Sequence, residues 1–238
     1  MPTAELSRVP SGVMPNPTIP PPPGRGGDLD AWLDRFEAIY RDAAGDVGRI
    51  PWAHAQPCPW LITWLNAEAP NLVRAGARAA VVGCGLGQDA CALLERGYEV
   101  TAFDACASAI DWAKALHPDA ADAFFQADLL NLPGRLIGRF DLVVEVHTIQ
   151  SVPPACWGRL ADGMVSLLSH RGVLVAIARG REEGAAGAGS EGPPWPLTKR
   201  ELTGLMTDRG LAPVRPLDAF TDESANPALR LRGAFKRV

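Results

Sequence analysis

The chain has 238 residues, of which 47% are hydrophobic and 21% charged, with a formal net charge of -4. That length suits one sizeable α/β domain with a full core, and the acidic balance argues against a general nucleic-acid binder, which would present a basic surface. The odd set of five cysteines forms no CxxC pair, and the four histidines lack metal-ligand spacing. A disulfide scaffold and a metal centre are therefore not expected, and a reducing compartment, the cytoplasm, is. No apolar run approaches a membrane span and no basic-then-apolar leader opens the sequence, so no membrane partner is expected.

Residues 1–27 are rich in proline and glycine, with Pro20 to Pro23 followed by Gly24-Arg25-Gly26-Gly27. Too little apolar surface is present to repay ordering, so a disordered tail is expected there. Asp28 is a candidate cap for a helix whose Trp32, Phe36 and Tyr40 recur at four-residue spacing and form an apolar stripe. A loop carrying Pro51-Trp52-Ala53-His54 follows, and Pro57-Cys58-Pro59-Trp60 opens a second helix toward Ala67. Residues 28–74 thus form an N-terminal helical cap on a single domain, 28–238.

From there strands at 78–83, 98–103, 122–127, 140–146 and 172–178 alternate with helices at 87–96, 107–117 and 155–168, plus a short turn near 130–136. This alternation predicts a mostly parallel sheet covered on both sides, with its site beyond the carboxyl ends of the strands. The stretch 180–197 is glycine-rich in its first part and ends in Pro193-Pro194-Trp195-Pro196-Leu197, which suggests a mobile lid. Thr198, with Glu201 three residues on, is a capping box for a helix ending at Gly210. Strands near 211–219 and 229–237 would complete seven.

The most telling run is Val81-Val82-Gly83-Cys84-Gly85-Leu86-Gly87-Gln88. An apolar strand ends in glycines, a helix follows, and the next strand ends on Asp104. Glycines let a ligand rest against backbone N–H groups, and an acid at the next strand tip suits ribose hydroxyls. A nicotinamide-binding turn needs glycine at its sixth position, where this chain has Gln88. The spacing resembles the first motif of class I S-adenosylmethionine (AdoMet) methyltransferases, over roughly residues 75–238. Within that class, Val81 before the turn, Ile50-Pro51-Trp52 with Pro57-Cys58-Pro59 upstream, and Gly192-Pro193-Pro194-Trp195 downstream resemble the thiol and thiopurine branch.

The resemblance implies a Rossmann-like three-layer α/β/α sandwich, AdoMet as cofactor, and metal-free in-line methyl transfer to a small-molecule acceptor. A thiol sulfur is the first expectation and an oxygen or nitrogen of a natural product or metabolite the second. It places Trp52, Gly83, Cys84, Gly85, Gly87, Asp104, Ala105, Asp128, Leu129 and Glu145 about the cofactor. Asp128 would accept from the adenine amino group while Leu129 covers a ring face. Tyr40, His54, His147, Gln150 and Trp195 would border the acceptor, and Glu145 and His147 are the candidate proton-handling groups, although a thiol ionises readily enough to need neither. Monomer and homodimer both stay open.

Overall fold

A computed structural model of the protein describes residues 28–185, 193–222 and 227–238. The predicted N-terminal tail and the glycine-rich centre of the predicted lid lie outside the described residues. The helices are α1 (Leu29–Ala43), α2 (Pro59–Ala67), α3 (Ala69–Leu72), α4 (Gln88–Leu94), α5 (Ala107–Leu116), α6 (Trp157–Leu167) and α7 (Lys199–Thr207). The strands are β1 (Arg78–Val82), β2 (Glu99–Asp104), β3 (Phe124–Gln126), β4 (Phe140–Val146), β5 (Leu168–Arg179), β6 (Leu211–Pro213), β7 (Asp218–Thr221) and β8 (Leu229–Arg237).

The sheet order is β3-β2-β1-β4-β5-β8-β6, with β7 also paired to β8. The first five strands are parallel, and β8 inserts antiparallel beside β5. This is a Rossmann-like sandwich with a mixed, mostly parallel sheet. Its central strands are nearly continuous apolar runs because both faces are covered. Ala80, Val82 and Val143 face one layer with Trp32, Leu160, Met164, Leu202 and Trp195. Ala79, Val81, Leu142 and Val144 face the other, with Leu61, Trp64, Leu93 and Ile110.

Among the described residues the sheet has eight strands where the sequence predicts seven, because the segment expected over 211–219 pairs with β8 in two pieces. Pro216 lacks the N–H a ladder needs. The Arg215 side chain beside it turns away to bind Glu68 at 2.7 Å and Asp218 at 2.6 Å. The capping box forms as expected: Glu201 N donates to Thr198 Oγ1 at 3.1 Å, and Thr198 N donates to Glu201 Oε2 at 2.7 Å. No helix among the described residues is long and apolar enough to cross a membrane.

The N-terminal helices are tied to the strand tips by specific bonds. Ser108 at the start of α5 donates from both N and Oγ to the Glu37 carboxylate on α1. Cys58, which opens α2, donates its N–H to Asp89 Oδ1 in the first turn of α4 at 2.7 Å. The cap is thereby fixed over the glycine turn.

Candidate functional site

The turn between β1 and α4 holds Gly83, Gly85 and Gly87 at φ of 59, 51 and 91°, a region that side-chain-bearing residues rarely adopt. Each glycine also has a neighbour that would meet a Cβ. At Gly83 the obstruction is Thr148 Oγ1 at 2.5 Å, at Gly85 the Tyr40 hydroxyl at 3.2 Å, and at Gly87 the Phe124 ring at 2.7 Å. Gly87 therefore serves helix–sheet packing, Gly83 makes room for Thr148, and Gly85 faces the Tyr40 hydroxyl. Cys84 contributes its backbone, donating N–H to Phe103 O at 3.0 Å and so binding the turn to β2.

Asp104 ends β2 beside this turn. Its Oδ2 accepts from Gly85 N at 3.0 Å and its Oδ1 from Cys106 N at 2.9 Å. Burial pushes its pKa upward, while the Cys106 and Gly85 amides oppose the shift. Ala105 follows with its carbonyl accepting from Gln126 Nε2 at 2.9 Å. Above Asp104 stands Tyr40, expected at the acceptor but placed against the glycine turn. Its hydroxyl accepts from Trp52 Nε1 at 2.9 Å, and burial together with the Asp104 charge raises its pKa well above the ordinary phenol value. Trp52 lies edge-on to Tyr40 and Phe36 and is 39% exposed. Tyr40, Trp52, Gly85 and Asp104 form one cluster.

A second cluster hangs from β4. Glu145 pairs in register with Val82, the residue before Gly83, and is fully buried. Its Oε1 accepts from Thr148 N at 2.7 Å and Ile149 N at 3.0 Å, while Oε2 has no hydrogen-bond partner among the described residues. Burial raises its pKa to about 7 against the opposing pull of the Ile149, Thr148 and Ile177 amides. Thr148, which sequence reasoning missed, joins the two strands: its Oγ1 donates to Val82 O at 3.1 Å directly under Gly83.

His147 does not share this pocket. Its φ of 63° breaks the strand alternation, and the ring turns toward α2, where it meets Trp60 edge-on at 6.3 Å. Nε2 is buried without a partner among the described residues. Desolvation, with the positive charges of Arg230, His54 and Arg179, lowers its pKa to about 4, Asp222 opposing, so the imidazole is neutral at physiological pH. His54 is exposed at the rim of this chamber. Arg179, Arg230 and Trp60 belong to it as well. Nothing in the sequence spacing of these three marked them as neighbours of His147.

Four predicted residues have structural work of their own. Leu129 packs onto α6, where Gly163 leaves room for its carbonyl and side chain. Asp128 Oδ1 accepts from Leu130 N at 2.8 Å in a local turn. Gln150 Oε1 accepts from Arg179 N, and its carbonyl accepts from Trp195 N at 2.8 Å. Trp195 is 2% exposed and edge-on to Trp32 at 5.1 Å. It is a core residue, not a flap residue, because α1 offers it a large aromatic partner. Leu197 N bonding Arg179 O at 3.0 Å and Arg181 N bonding Leu197 O at 2.8 Å hold the same segment to β5.

A model of the family described as thiopurine S-methyltransferase (TPMT) matches residues 28–232. Among solved structures, the chain is similar to the 1,6-didemethyltoxoflavin-N1-methyltransferase of Burkholderia thailandensis, at 19% identity and a TM-score of 0.66, covering 88% of this chain and 89% of that one. It is similar to magnesium protoporphyrin IX methyltransferase (ChlM) of Synechocystis PCC 6803, at 16% identity and a TM-score of 0.66, covering 88% and 100%. A protein solved in connection with the conversion of a disulfide bond into a thioacetal group during echinomycin biosynthesis matches at 20% identity and a TM-score of 0.65, covering 86% and 92%. At these identities the likeness shows the fold.

Proposed function

The chain belongs to the thiopurine S-methyltransferase family, and from that premise we propose that this AdoMet-dependent methyltransferase acts on a nitrogen or oxygen of a small-molecule acceptor. The observation that carries the choice of nucleophile is His147. Its Nε2 is buried, partnerless among the described residues and neutral near pH 7. It stands one residue from Thr148, whose side chain supports the glycine turn. A thiol needs no such group, because its own ionisation supplies the nucleophile. A nitrogen or oxygen acceptor must lose a proton as its bond to carbon forms, and a positioned neutral imidazole receives it.

The residues fit the cofactor. Glu145 Oε2 is a buried carboxylate oxygen without a partner among the described residues, suited to an ammonium group. Gly83 and Gly85 leave the turn without side chains, and Asp104 sits beside them at the strand tip. AdoMet supplies an electrophilic methyl group on a sulfonium, so the protein's tasks are alignment, exclusion of water and proton removal. Glu145 would hold the amino-acid end, Asp104 the ribose, and the Tyr40–Trp52 pair would cover the cofactor. Asp128 and Leu129 would border the adenine through backbone and turn position, since their side chains are otherwise engaged. His147 Nε2 would take the acceptor's proton late, once bond formation has made that proton acidic.

Release of S-adenosylhomocysteine (AdoHcy) from matched amine, phenol and thiol acceptors tests the proposal, with His147→Asn as the variant. Asparagine tolerates positive φ, so the backbone survives while the imidazole is lost. Nitrogen and oxygen turnover should fall by roughly 10²–10⁴-fold in kcat, and thiol turnover by much less. Methylation of thiols alone by the wild type, or undiminished nitrogen and oxygen turnover in the variant, would refute it.

A further inference from the structure

Arg179 ends β5 directly opposite Arg230 on antiparallel β8. Residues paired in this way project to the same face, and like charges so placed repel. One of the two is neutralised. Arg230 Nε lies 2.7 Å from Asp222 Oδ2, and its guanidinium covers the Trp60 ring at 4.8 Å from the centroid. Asp222 is itself buried and also accepts from Ala228 N at 3.2 Å. The half-buried Arg179 guanidinium has no hydrogen bond or ion pair among the described residues, although its backbone N–H is tied to Gln150.

Among the described residues, Arg230, His54, Arg179 and Asp222 act on the His147 ring. Of these, the two arginines face one aspartate, Asp222, and Arg230 occupies it. The chamber adjoins the buried Nε2 and the aromatic edge of Trp60. A partly buried arginine whose head group has no anion beside it among the described residues is a ready partner for one. A carboxylate matches the planar fork with two parallel hydrogen bonds.

We infer that the acceptor carries a carboxylate, and that Arg179, with Arg230 held by Asp222 behind it, is the residue that selects acid-bearing acceptors. This rests on the acceptor standing beside His147 as proposed above. It is independent of which atom is methylated. Arg179 positions the acceptor by its charged end, leaving the nucleophile toward His147 and the glycine turn. Acid and amide forms of one acceptor then differ in productive binding and little in intrinsic reactivity.

The test uses matched pairs that differ only in charge: anthranilate and anthranilamide, salicylate and salicylamide, 3-mercaptopropionate and its amide. Calorimetric affinities are measured on the AdoHcy-saturated protein, and kcat/KM where turnover occurs, for wild type, Arg179→Lys and Arg179→Gln. Retained AdoHcy binding and circular dichroism establish that the variants fold. The expected result is a preference for the acid of at least tenfold in each pair that binds, lost in Arg179→Gln and partly kept in Arg179→Lys, with the loss in KM rather than kcat. Equal binding of acid and amide by wild type, no binding of any acid, or a preference that survives Arg179→Gln overturns it. Turnover of the mercaptan pair alone would sink the nitrogen or oxygen reading while leaving the acid preference to be scored within that pair.

Discussion

Replacing Gly83 by alanine separates what the turn owes to its own packing from what it owes to a ligand. At φ 59° an alanine costs about 1–2 kcal/mol over glycine. Its Cβ would also stand 2.5 Å from Thr148 Oγ1 and 2.8 Å from Thr148 Cγ2, so Thr148 must move. Moving it breaks the bond to Val82 O, worth about 1 kcal/mol, and disturbs the amides that hold Glu145. The combined loss is about 3 kcal/mol, or roughly 6–12 °C in Tm for a domain of this size. Urea unfolding of a double-mutant cycle with Thr148→Ala measures the coupling. In that background only Thr148 Cβ, at 3.2 Å, still opposes the new methyl, and a small shift accommodates it. The second Gly83→Ala cost should fall to the backbone component, a coupling of about 1–2 kcal/mol. Costs that add within about 0.5 kcal/mol would refute the argument that Thr148 is what requires glycine at this position.

Two further outcomes follow from buried side chains. Trp195→Ala should lower stability by about 3–5 kcal/mol in urea unfolding, because a core aromatic is removed from against Trp32. A normal midpoint with reduced kcat would instead restore the lid reading. Glu145→Gln should remove a pH dependence. The folded pKa of about 7 lies above the unfolded value, so protonated Glu145 contributes stability that is fully present below about pH 4.5 and lost as pH rises through 7. Wild type and variant should match near pH 4.5, and the variant should be more stable by pH 8 by on the order of 3 kcal/mol. AdoHcy affinity should rise through pH 7 in wild type and stay flat in the variant, as titration calorimetry at several pH values would show.

Much of the framework was legible because each signal was local. Apolar runs such as Ala79 to Val82 and Leu142 to Val144 read as doubly covered strands, and Thr198 with Glu201 read as a helix start. The glycine turn and Asp104 were legible for the same reason: strand, turn, helix and acid follow one another along the chain. Thr148 was not, since a glycine in a turn says that something approaches closely but not from where. Trp195 was misplaced because its neighbours in sequence are glycine and proline, while the contact that fixes it comes from Trp32, far away in the chain. Leu129 likewise answers to Gly163 on a helix it does not adjoin in sequence.

The separation of Glu145 from His147 shows how one backbone angle divides the site. Two residues apart on a strand, they should project to one face and compete for one role. The left-handed conformation at His147 sends its ring to the α2 side, while Glu145 stays at the cofactor end. Their environments then diverge: burial favours protonated Glu145 near pH 7, and the nearby positive charges add to burial in keeping His147 neutral. One group is suited to gain a cationic partner and the other stays a neutral ring, and between them Thr148 ties Glu145 to the glycine turn. A residue that restored ordinary strand geometry at position 147 would bring its side chain back toward Glu145 and empty the chamber beside Arg179, so the left-handed backbone is itself part of the acceptor's binding site.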